Sequence, residues 1–204
     1  MVSKARWLLG LGLALLVCFP VSALTFQKVG DGVLVQGEIV AGDFERFRNA
    51  LDRYGNGPIL LNSNGGKVGE ALRIAELVRV RQVSTHLPGK ATCASACVLI
   101  LAGGVIRTAE GSARIGVHMG SGLLNDDSVE TMRRFYARYG AEGVAVLGSK
   151  FEQSAALSVL KQVDFFLRCG VSLRLLEVSA RVDHLDIKWL SAFEAREYNI
   201  INAD

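Results

Sequence analysis

The chain has 204 residues, of which 50% are apolar and 21% are charged. This length fits one domain with an appended arm and is enough to bury a core without metal ions or several disulfides. The composition excludes a disordered, collagen-like or coiled-coil chain. The net charge of +3 arises from 23 basic and 20 acidic residues without a basic stripe, which argues against a nucleic-acid partner.

The first 23 residues have the pattern of an export signal. Lys4 and Arg6 precede an apolar run over residues 7–17, and small residues follow at positions 21–23. We predict cleavage after Ala23, which leaves a single domain of residues 24–204 with a net charge of +1. The expected location is the periplasm or the secreted fraction. An uncleaved membrane anchor is the alternative, although the apolar run is short for a membrane span.

Strand and helix patterns alternate from residue 33 to residue 118. Strands are predicted at 33–39, 59–61, 83–87 and 113–118, and helices at 43–54, 68–81 and 95–101. The short connections predict an α/β domain with a largely parallel sheet. Residues 126–182 have helical spacing and predict a helical arm. Residues 189–201 predict a short helix and a closing strand.

Three positions have the residue types that catalysis needs. Gly65-Gly66 lies between a buried strand and a helix, where backbone N–H groups can point into a cleft. Ser95 lies where a strand turns into an apolar helix, so N–H groups beside its exposed hydroxyl could stabilise an oxyanion. His118 ends an apolar strand and could act as the general base. The alternatives are a connecting turn, an N-cap serine and a core or surface histidine.

Cysteines add a fourth feature. Export implies an oxidising compartment, and Cys93, Cys97 and Cys169 remain after cleavage, so at least one stays free or pairs between chains. The spacing of Cys93 and Cys97 suits a local disulfide if the backbone turns between them. Two buried thiols are an alternative. A metal site with His118 is another, although the spacing is not the usual knuckle.

Taken in this order, the motifs resemble the Clp protease proteolytic subunit and the wider Clp-protease/crotonase superfamily. The matching stretches are LNSNGGKVGEALRIAELVR, ATCASACVLILAGGVIRTAEGSARIGVH and WLSAFEAREYNIIN, and residues 121–182 diverge. The resemblance implies an α/β fold of repeated ββα units with a helical arm. It implies Ser95 as nucleophile, His118 as base, and the N–H groups of Gly66 and Ala96 as an oxyanion hole, with Gly65 shaping the turn.

The resemblance also implies an aspartate shortly before the Ser-Ala-x-Glu-Ala segment. Asp186 is the favoured candidate, although its spacing is one residue longer than the family's, and Asp183 is the alternate. A solvated loop charge is the other interpretation of each. A second departure is Asn199, which stands where the family usually has glycine.

Export and the unrecognisable axial-loop and handle sequences separate the chain from a compartmentalised Clp-type protease. The pattern is closer to exported relatives with a Cys-x-Ser-x-Cys motif, in which a disulfide between Cys93 and Cys97 would lock the Ser95 turn. We therefore expect an exported serine hydrolase, a peptidase acting on peptides or unfolded proteins, with no cofactor and no ATP-driven unfoldase.

The resemblance further implies a homo-oligomer, with Tyr136, Tyr139, Phe165 and Phe166 as candidate contacts. A non-catalytic peptide- or protein-binding module on the same fold is the main alternative function. A crotonase-like acyl-CoA enzyme is disfavoured because the chain is expected to leave the cytosol. Cys93 or Cys97 would be a poorer nucleophile than Ser95, since each flanks the turn position.

Overall fold

Strands and helices alternate along the chain in the computed structural model, which describes residues 23–120 and 126–204. Within these ranges there are eight strands and six helices. In chain order they are β1 (Thr25–Val29), β2 (Gly32–Gln36), α1 (Asp43–Tyr54), β3 (Ile59–Asn62), α2 (Val68–Val80), β4 (Thr85–Leu87), β5 (Thr92–Ala94), α3 (Cys97–Gly103), β6 (Arg107–Ala109), β7 (Arg114–Val117), α4 (Asp126–Cys169), α5 (Arg174–Ala180), β8 (Lys188–Trp189) and α6 (Ala192–Glu197).

The strands form two sheets, with the orders β1-β2-β3-β4-β6 and β5-β7-β8. Strands β2, β3, β4 and β6 run parallel, as do β5 and β7, whereas β1 and β8 pair antiparallel at the edges. A bridge between Ser63 and Cys93 links β3 to β5 and so joins the sheets. The predicted α/β class with repeated strand–strand–helix units is confirmed.

The core lies between these sheets and the first three helices. Helix α2 buries Ala71, Ile74, Ala75 and Val78 on one stripe, as its helical spacing requires. Helix α3 is buried along its whole length, because every residue from Cys97 to Gly103 is small or apolar. The helix that follows the candidate nucleophile is therefore held inside the protein.

The helical arm is confirmed as α4 and α5. Helix α4 is interrupted at Gly140, where φ is 64° and ψ is −161°. Its carboxyl-terminal end is anchored in the core by Phe165 and Phe166, which are 0% and 2% exposed. These two rings are therefore not available to a neighbouring chain, whereas Tyr136 and Tyr139 are exposed. No helix in the described ranges is long and apolar enough to cross a membrane.

Arg107 of β6 joins the ends of three helices. Its buried guanidinium donates to the carbonyl oxygens of Gly104 (2.9 Å), Cys169 (3.4 Å) and Asn199 (2.7 Å), which follow or end α3, α4 and α6. Helix carboxyl termini carry partial negative charge, so they are suitable partners for a buried cation. Burial lowers the pKa of Arg107. This residue fixes the far end of α3, the helix that begins beside Ser95.

Some predicted boundaries change. Helix α1 has the predicted bounds, but β2 ends at Gln36 instead of residue 39, and Ile39 instead forms a bridge with Gly66. The predicted closing strand is wrong. After α6 the chain attaches to a single residue of β6: Asn202 donates its N–H to the Arg107 carbonyl (3.1 Å) and accepts the Arg107 N–H on Oδ1 (2.7 Å). One residue cannot form a ladder.

The predicted signal peptide lies outside the described residues, except for Ala23. Leu24, the first residue after the predicted cleavage position, is fully buried in the core. Its carbonyl oxygen accepts a hydrogen bond from the Arg46 guanidinium of α1. Leu24 is therefore part of the core of the described domain, and Ala23 before it forms a bridge with Glu38.

Candidate active site

The segments that follow β2, β3, β5 and β7 meet at one edge of the sheets. The Ser95 N–H donates to the Gly116 carbonyl at 2.9 Å, and the Ala94 N–H donates to the Ser63 carbonyl at 3.0 Å. The Ile39 N–H donates to the Gly65 carbonyl at 2.8 Å. Ala94 of β5 is in register with Gly116 of β7. Ser95 and His118, which follow these two strands, therefore lie at the same edge.

Ser95 occupies a left-handed turn between β5 and α3. Its φ is 55°, a conformation that non-glycine residues rarely adopt. The carbonyl of Ser95 accepts the Val98 N–H at 3.0 Å, so the turn leads directly into the helix. The predicted helix start at residue 95 is wrong by two residues, because a left-handed residue cannot be part of a right-handed helix.

A disulfide between Cys93 and Cys97 closes this turn, with the two Cα atoms 5.2 Å apart. Cys93 is in β5, Cys97 is the first residue of α3, and both are fully buried. The remaining cysteine, Cys169, is free and buried at the end of α4, and burial raises its pKa. Ser95 therefore lies at the middle of a covalently closed turn.

Gly65 packs against the Ser95 turn, and Gly66 packs against Ile39. Neither position has room for a side chain. Their φ angles are 100° and 136°. A Cβ atom on Gly65 would lie 2.7 Å from the Ser95 Cβ, and one on Gly66 would lie 2.2 Å from the Ile39 carbonyl oxygen. Both values are shorter than any real contact, so only glycine fits. The two turns are thus in direct contact.

Two backbone donors beside Ser95 are left without partners. The Gly65 N–H donates to the Ser63 hydroxyl at 3.1 Å, but the N–H groups of Gly66 and Ala96 bind no acceptor within residues 23–120 and 126–204. Unpaired N–H groups next to a nucleophile form the arrangement that stabilises an oxyanion. The two N–H groups thus lie on the Ser95 turn itself and on the turn whose Gly65 packs against Ser95.

His118 follows β7 directly and is half-buried. Its Nδ1 atom is enclosed and has no hydrogen-bond partner in the described part of the chain. No hydrogen bond joins the Ser95 hydroxyl to His118 in this structure. Such bonds commonly form only when substrate is present.

The two candidate aspartates lie on a turn beside His118. The Met119 N–H donates to the Val182 carbonyl at 3.0 Å, and the Asp186 N–H donates to the Asp183 carbonyl at 3.0 Å. Asp183 nevertheless directs its carboxylate to His184 Nδ1 (3.0 Å) and accepts the Leu185 N–H (2.9 Å). Asp186 is exposed, and its carboxylate has no hydrogen-bond or ion-pair partner among the described residues. Neither carboxylate contacts His118.

The residues just before β8 show which side chain lies beside β7. Lys188 of β8 pairs with Val117 of β7, and Asp186 and Ile187 precede this strand. Ile187 packs on Gly116, where an added Cβ would be 2.6 Å from its Cγ2. An apolar side chain therefore lies next to β7 at this position, while Asp186 is exposed.

Two positioning residues are not evident from the motifs alone. The Asn62 side-chain oxygen accepts the Thr92 N–H at 3.1 Å, which aligns β3 with β5. Ser63 is 3% exposed and accepts the Gly65 N–H through its hydroxyl, as described above. The sequence signal for such residues is a polar side chain at the end of an otherwise apolar strand. A polar side chain buried there needs hydrogen-bond partners, and backbone groups supply them.

Charges near β8 are paired with each other. Lys188 Nζ lies 2.7 Å from Glu194 Oε1, and this contact lowers the pKa of Glu194 to about 2 and raises the pKa of Lys188. The Arg114 guanidinium stacks 3.7 Å from the Trp189 ring centre.

No group of three metal-ligating side chains occurs within the described ranges. Because Cys93 and Cys97 are bonded to each other, neither can serve the metal site considered above.

Comparisons with known proteins give matches among solved structures. No family profile matches the sequence, and no curated protein matches it. Among solved structures, a mutant of ClpP1 from Listeria monocytogenes aligns with 84% of this chain and 89% of its own. The sequence identity is 20% and the TM-score is 0.49. The function proposed below therefore rests on the geometry of the site itself.

Proposed function

We propose that this protein is an exported serine hydrolase of the peptidase type, with Ser95 as nucleophile and His118 as base. The observation that carries the proposal is the pair of unpartnered N–H groups, on Gly66 and Ala96, that flank a serine in a left-handed turn. A serine that only capped the helix would occupy the N-cap position. The N-cap residue of α3 is Ala96, and Ser95 precedes it.

The reaction follows from these atoms. The Ser95 hydroxyl attacks a peptide carbonyl while His118 Nε2 accepts its proton, and the oxygen that becomes negative receives hydrogen bonds from Gly66 and Ala96. The protonated His118 then donates to the leaving amine, which breaks the peptide bond and leaves an ester on Ser95. Water, deprotonated by His118, hydrolyses that ester and regenerates the serine. One oxyanion donor typically contributes about 10²–10³-fold to the rate.

The proposed substrate is a peptide or an unfolded protein segment. A cleft of about 740 Å³, which neither Ser95 nor His118 lines, begins at Lys67 and Val68, directly after Gly66, and continues between α2 and residues 154–164 of α4. This size is within the range of ligand sites that hold several groups at once. Its walls combine apolar side chains with charges of both signs, including Arg73 and Asp164. Such a cleft suits an extended chain of mixed sequence.

Export is part of the proposal. The pattern of residues 1–23 supports it, and so does a disulfide in the core, since disulfides persist in oxidising compartments. We place the enzyme in the periplasm or among secreted proteins, acting without an ATP-driven unfoldase or a cofactor. We also propose a homo-oligomer, because apolar side chains of α4 that include Tyr136, Val146 and Leu160 are more than half exposed.

A non-catalytic peptide-binding module is the second candidate. One observation favours it: neither Asp183 nor Asp186 contacts His118, so the ring is not oriented by a carboxylate. The unpartnered donors at Gly66 and Ala96 favour the hydrolase, because a binding module has no need of an oxyanion hole. The two candidates differ in whether Ser95 forms a covalent intermediate.

Pre-steady-state hydrolysis of p-nitrophenyl acetate tests the proposal. The oxidised mature chain should release a burst of about one p-nitrophenol per site, followed by slower turnover, because acylation precedes deacylation. Ser95→Ala should abolish the burst. The control is Ser84→Ala, a serine at the amino end of β4 that makes no side-chain contact with the site. A burst of equal size in Ser95→Ala would overturn the proposal.

A further inference from the structure

We propose that the Cys93–Cys97 disulfide is a positioning element that makes this hydrolase dependent on an oxidising environment. The proposal rests on the function assigned to Ser95. The disulfide encloses three residues: Ala94, Ser95 and Ala96. The enclosed segment therefore contains both the nucleophile and one of the two oxyanion donors.

The disulfide adds a covalent restraint to a turn with an unfavourable backbone conformation. Ser95 has a φ of 55°, which opposes the ordinary preference of a serine. Backbone hydrogen bonds also hold the turn, from the Ser95 N–H to Gly116 (2.9 Å), the Ala94 N–H to Ser63 (3.0 Å), the Val98 N–H to Ser95 (3.0 Å) and the Leu99 N–H to Ala96 (3.2 Å). Helix α3 has only seven residues and receives no side-chain cap at its start. The covalent link from Cys93 in β5 to Cys97 in α3 restrains both ends of the turn.

Loss of the link should redirect the oxyanion donor. The peptide unit that carries the Ala96 N–H rotates when φ or ψ of Ser95 changes, because the backbone has only these two soft angles per residue. If Ser95 relaxes to an ordinary conformation, Ala96 N–H turns away from the Gly66 N–H. The Ser95 Cβ, which now packs against Gly65, moves at the same time. Nucleophile and donor are thus displaced together.

The redox step is a thiol–disulfide exchange. A dithiol reductant such as dithiothreitol supplies two electrons and two protons, which break the S–S bond and give two thiols, while the reductant closes to its own cyclic disulfide. Cys169 is the third sulfur and lies free and buried at the end of α4. A Cys169→Ala background restricts the effect of reduction to the Cys93–Cys97 pair.

The test compares three forms in that background: oxidised, reduced with dithiothreitol, and Cys93→Ala/Cys97→Ala. We expect kcat for p-nitrophenyl acetate to fall about 100-fold in the last two, the loss typical of one oxyanion donor, with KM changed less than threefold. Hydrogen exchange in the peptide covering residues 92–99 should become faster, and thermal unfolding should remain cooperative. If the double variant does not fold, the reduced protein provides the comparison.

The outcomes separate this inference from the function it rests on. A double variant or reduced protein that keeps kcat within threefold of the oxidised form would overturn the positioning role. If no form hydrolyses the ester, the proposed function fails, and the redox dependence of the hydrolase fails with it. Hydrogen exchange still tests the positioning role by itself, because unchanged exchange at residues 92–99 after reduction would show that the disulfide does not order the turn.

Discussion

Two turns border His118, and they are built in opposite ways. The turn that carries Ser95 is buried, crosslinked by Cys93 and Cys97, and packed against Gly65. The turn that carries Asp183 and Asp186 is exposed, and its carboxylates contact either a neighbouring histidine or nothing among the described residues. One side of the site is covalently crosslinked, while the carboxylates on the other side make no hydrogen bond or ion pair with His118.

The difference shows which functions need preorganisation. An oxyanion donor contributes only when its N–H is already aimed at the developing charge, because reorientation during the reaction costs free energy. A histidine held between β7 and the body of the protein can exchange a proton without a carboxylate, although less efficiently. The described residues thus combine a crosslinked Ser95 turn with a histidine whose Nδ1 has no hydrogen-bond partner among them.

The largest loss of activity should come from substitution of His118, which lies between the two turns. His118→Ala removes the only proposed base, and we expect kcat/KM for ester or peptide hydrolysis to fall about 10⁴-fold or more. His86→Ala is the control, since His86 bonds Thr108 in β6 and is outside the site. Retention of more than a tenth of the activity in His118→Ala would show that another group acts as base.

A substitution at Gly65 should disturb the Ser95 turn, because the two are in contact. Gly65→Ala would place a Cβ 2.7 Å from both the Ser95 Cβ and the Ala94 carbonyl oxygen, at a φ of 100°. We expect about a 10²-fold loss of kcat and a loss of about 2–4 kcal/mol in the free energy of unfolding.

Gly69→Ala is the matched control for that change. Gly69 lies in α2 with nothing within 4 Å of an added Cβ, so the substitution should raise stability by about 0.5–1 kcal/mol. Denaturant unfolding measures the stability of both variants, and the ester assay measures their kcat. Equal activity in Gly65→Ala and Gly69→Ala would contradict the described contact between the two turns.

The exposed turn should tolerate change. Asp186→Asn and Asp183→Asn should each lower kcat less than tenfold, because neither carboxylate contacts His118 in the structure. A triad aspartate replaced by asparagine costs about 10⁴-fold. A loss of that size in Asp186→Asn, compared with Asp183→Asn in the same assay, would show that the turn closes on His118 during catalysis.

The smallest effect concerns the ion pair at the base of the exposed turn. Contact with Lys188 lowers the pKa of Glu194 from 4.5 to about 2. A carboxyl group with a lowered folded-state pKa stabilises the fold above its unfolded value, and this contribution is lost as the pH falls towards 2. Glu194→Gln should therefore unfold with a flatter pH dependence between about pH 5 and 2.

Chemical unfolding across that pH range is the measurement for this prediction. Glu142→Gln, at an exposed position on the arm, is the control and should keep the slope of the unchanged protein. A Glu194→Gln variant with the same slope as the control would mean that the pair with Lys188 does not form in solution.

The two turns also show how much could be predicted from the sequence. The Gly-Gly turn, the serine between alanines and the strand ending in His118 carry backbone requirements that leave a residue signature, and α1 and the arm follow from apolar spacing. The left-handed Ser95, which delays α3 by two residues, has no signature beyond the small residues around it. The disulfide required knowledge of the turn geometry.

The position of the aspartates was the hardest to predict. A shift of one residue in a strand reverses which face a side chain occupies, and only the pairing of β7 with β8 reveals it. The closing strand was predicted within residues 189–201. Ile200 and Ile201, at the end of this range, are buried in the core without strand pairing.

The most direct test of the central claim is labelling with a fluorophosphonate probe, which reacts with activated serines. The oxidised mature chain should be modified at one site, located by mass spectrometry at Ser95. Ser95→Ala and His118→Ala should not be labelled, while Asp186→Asn should be labelled at close to the normal rate. Absence of labelling in the folded, oxidised protein, or labelling at another serine, would contradict the assignment of Ser95 as a nucleophile.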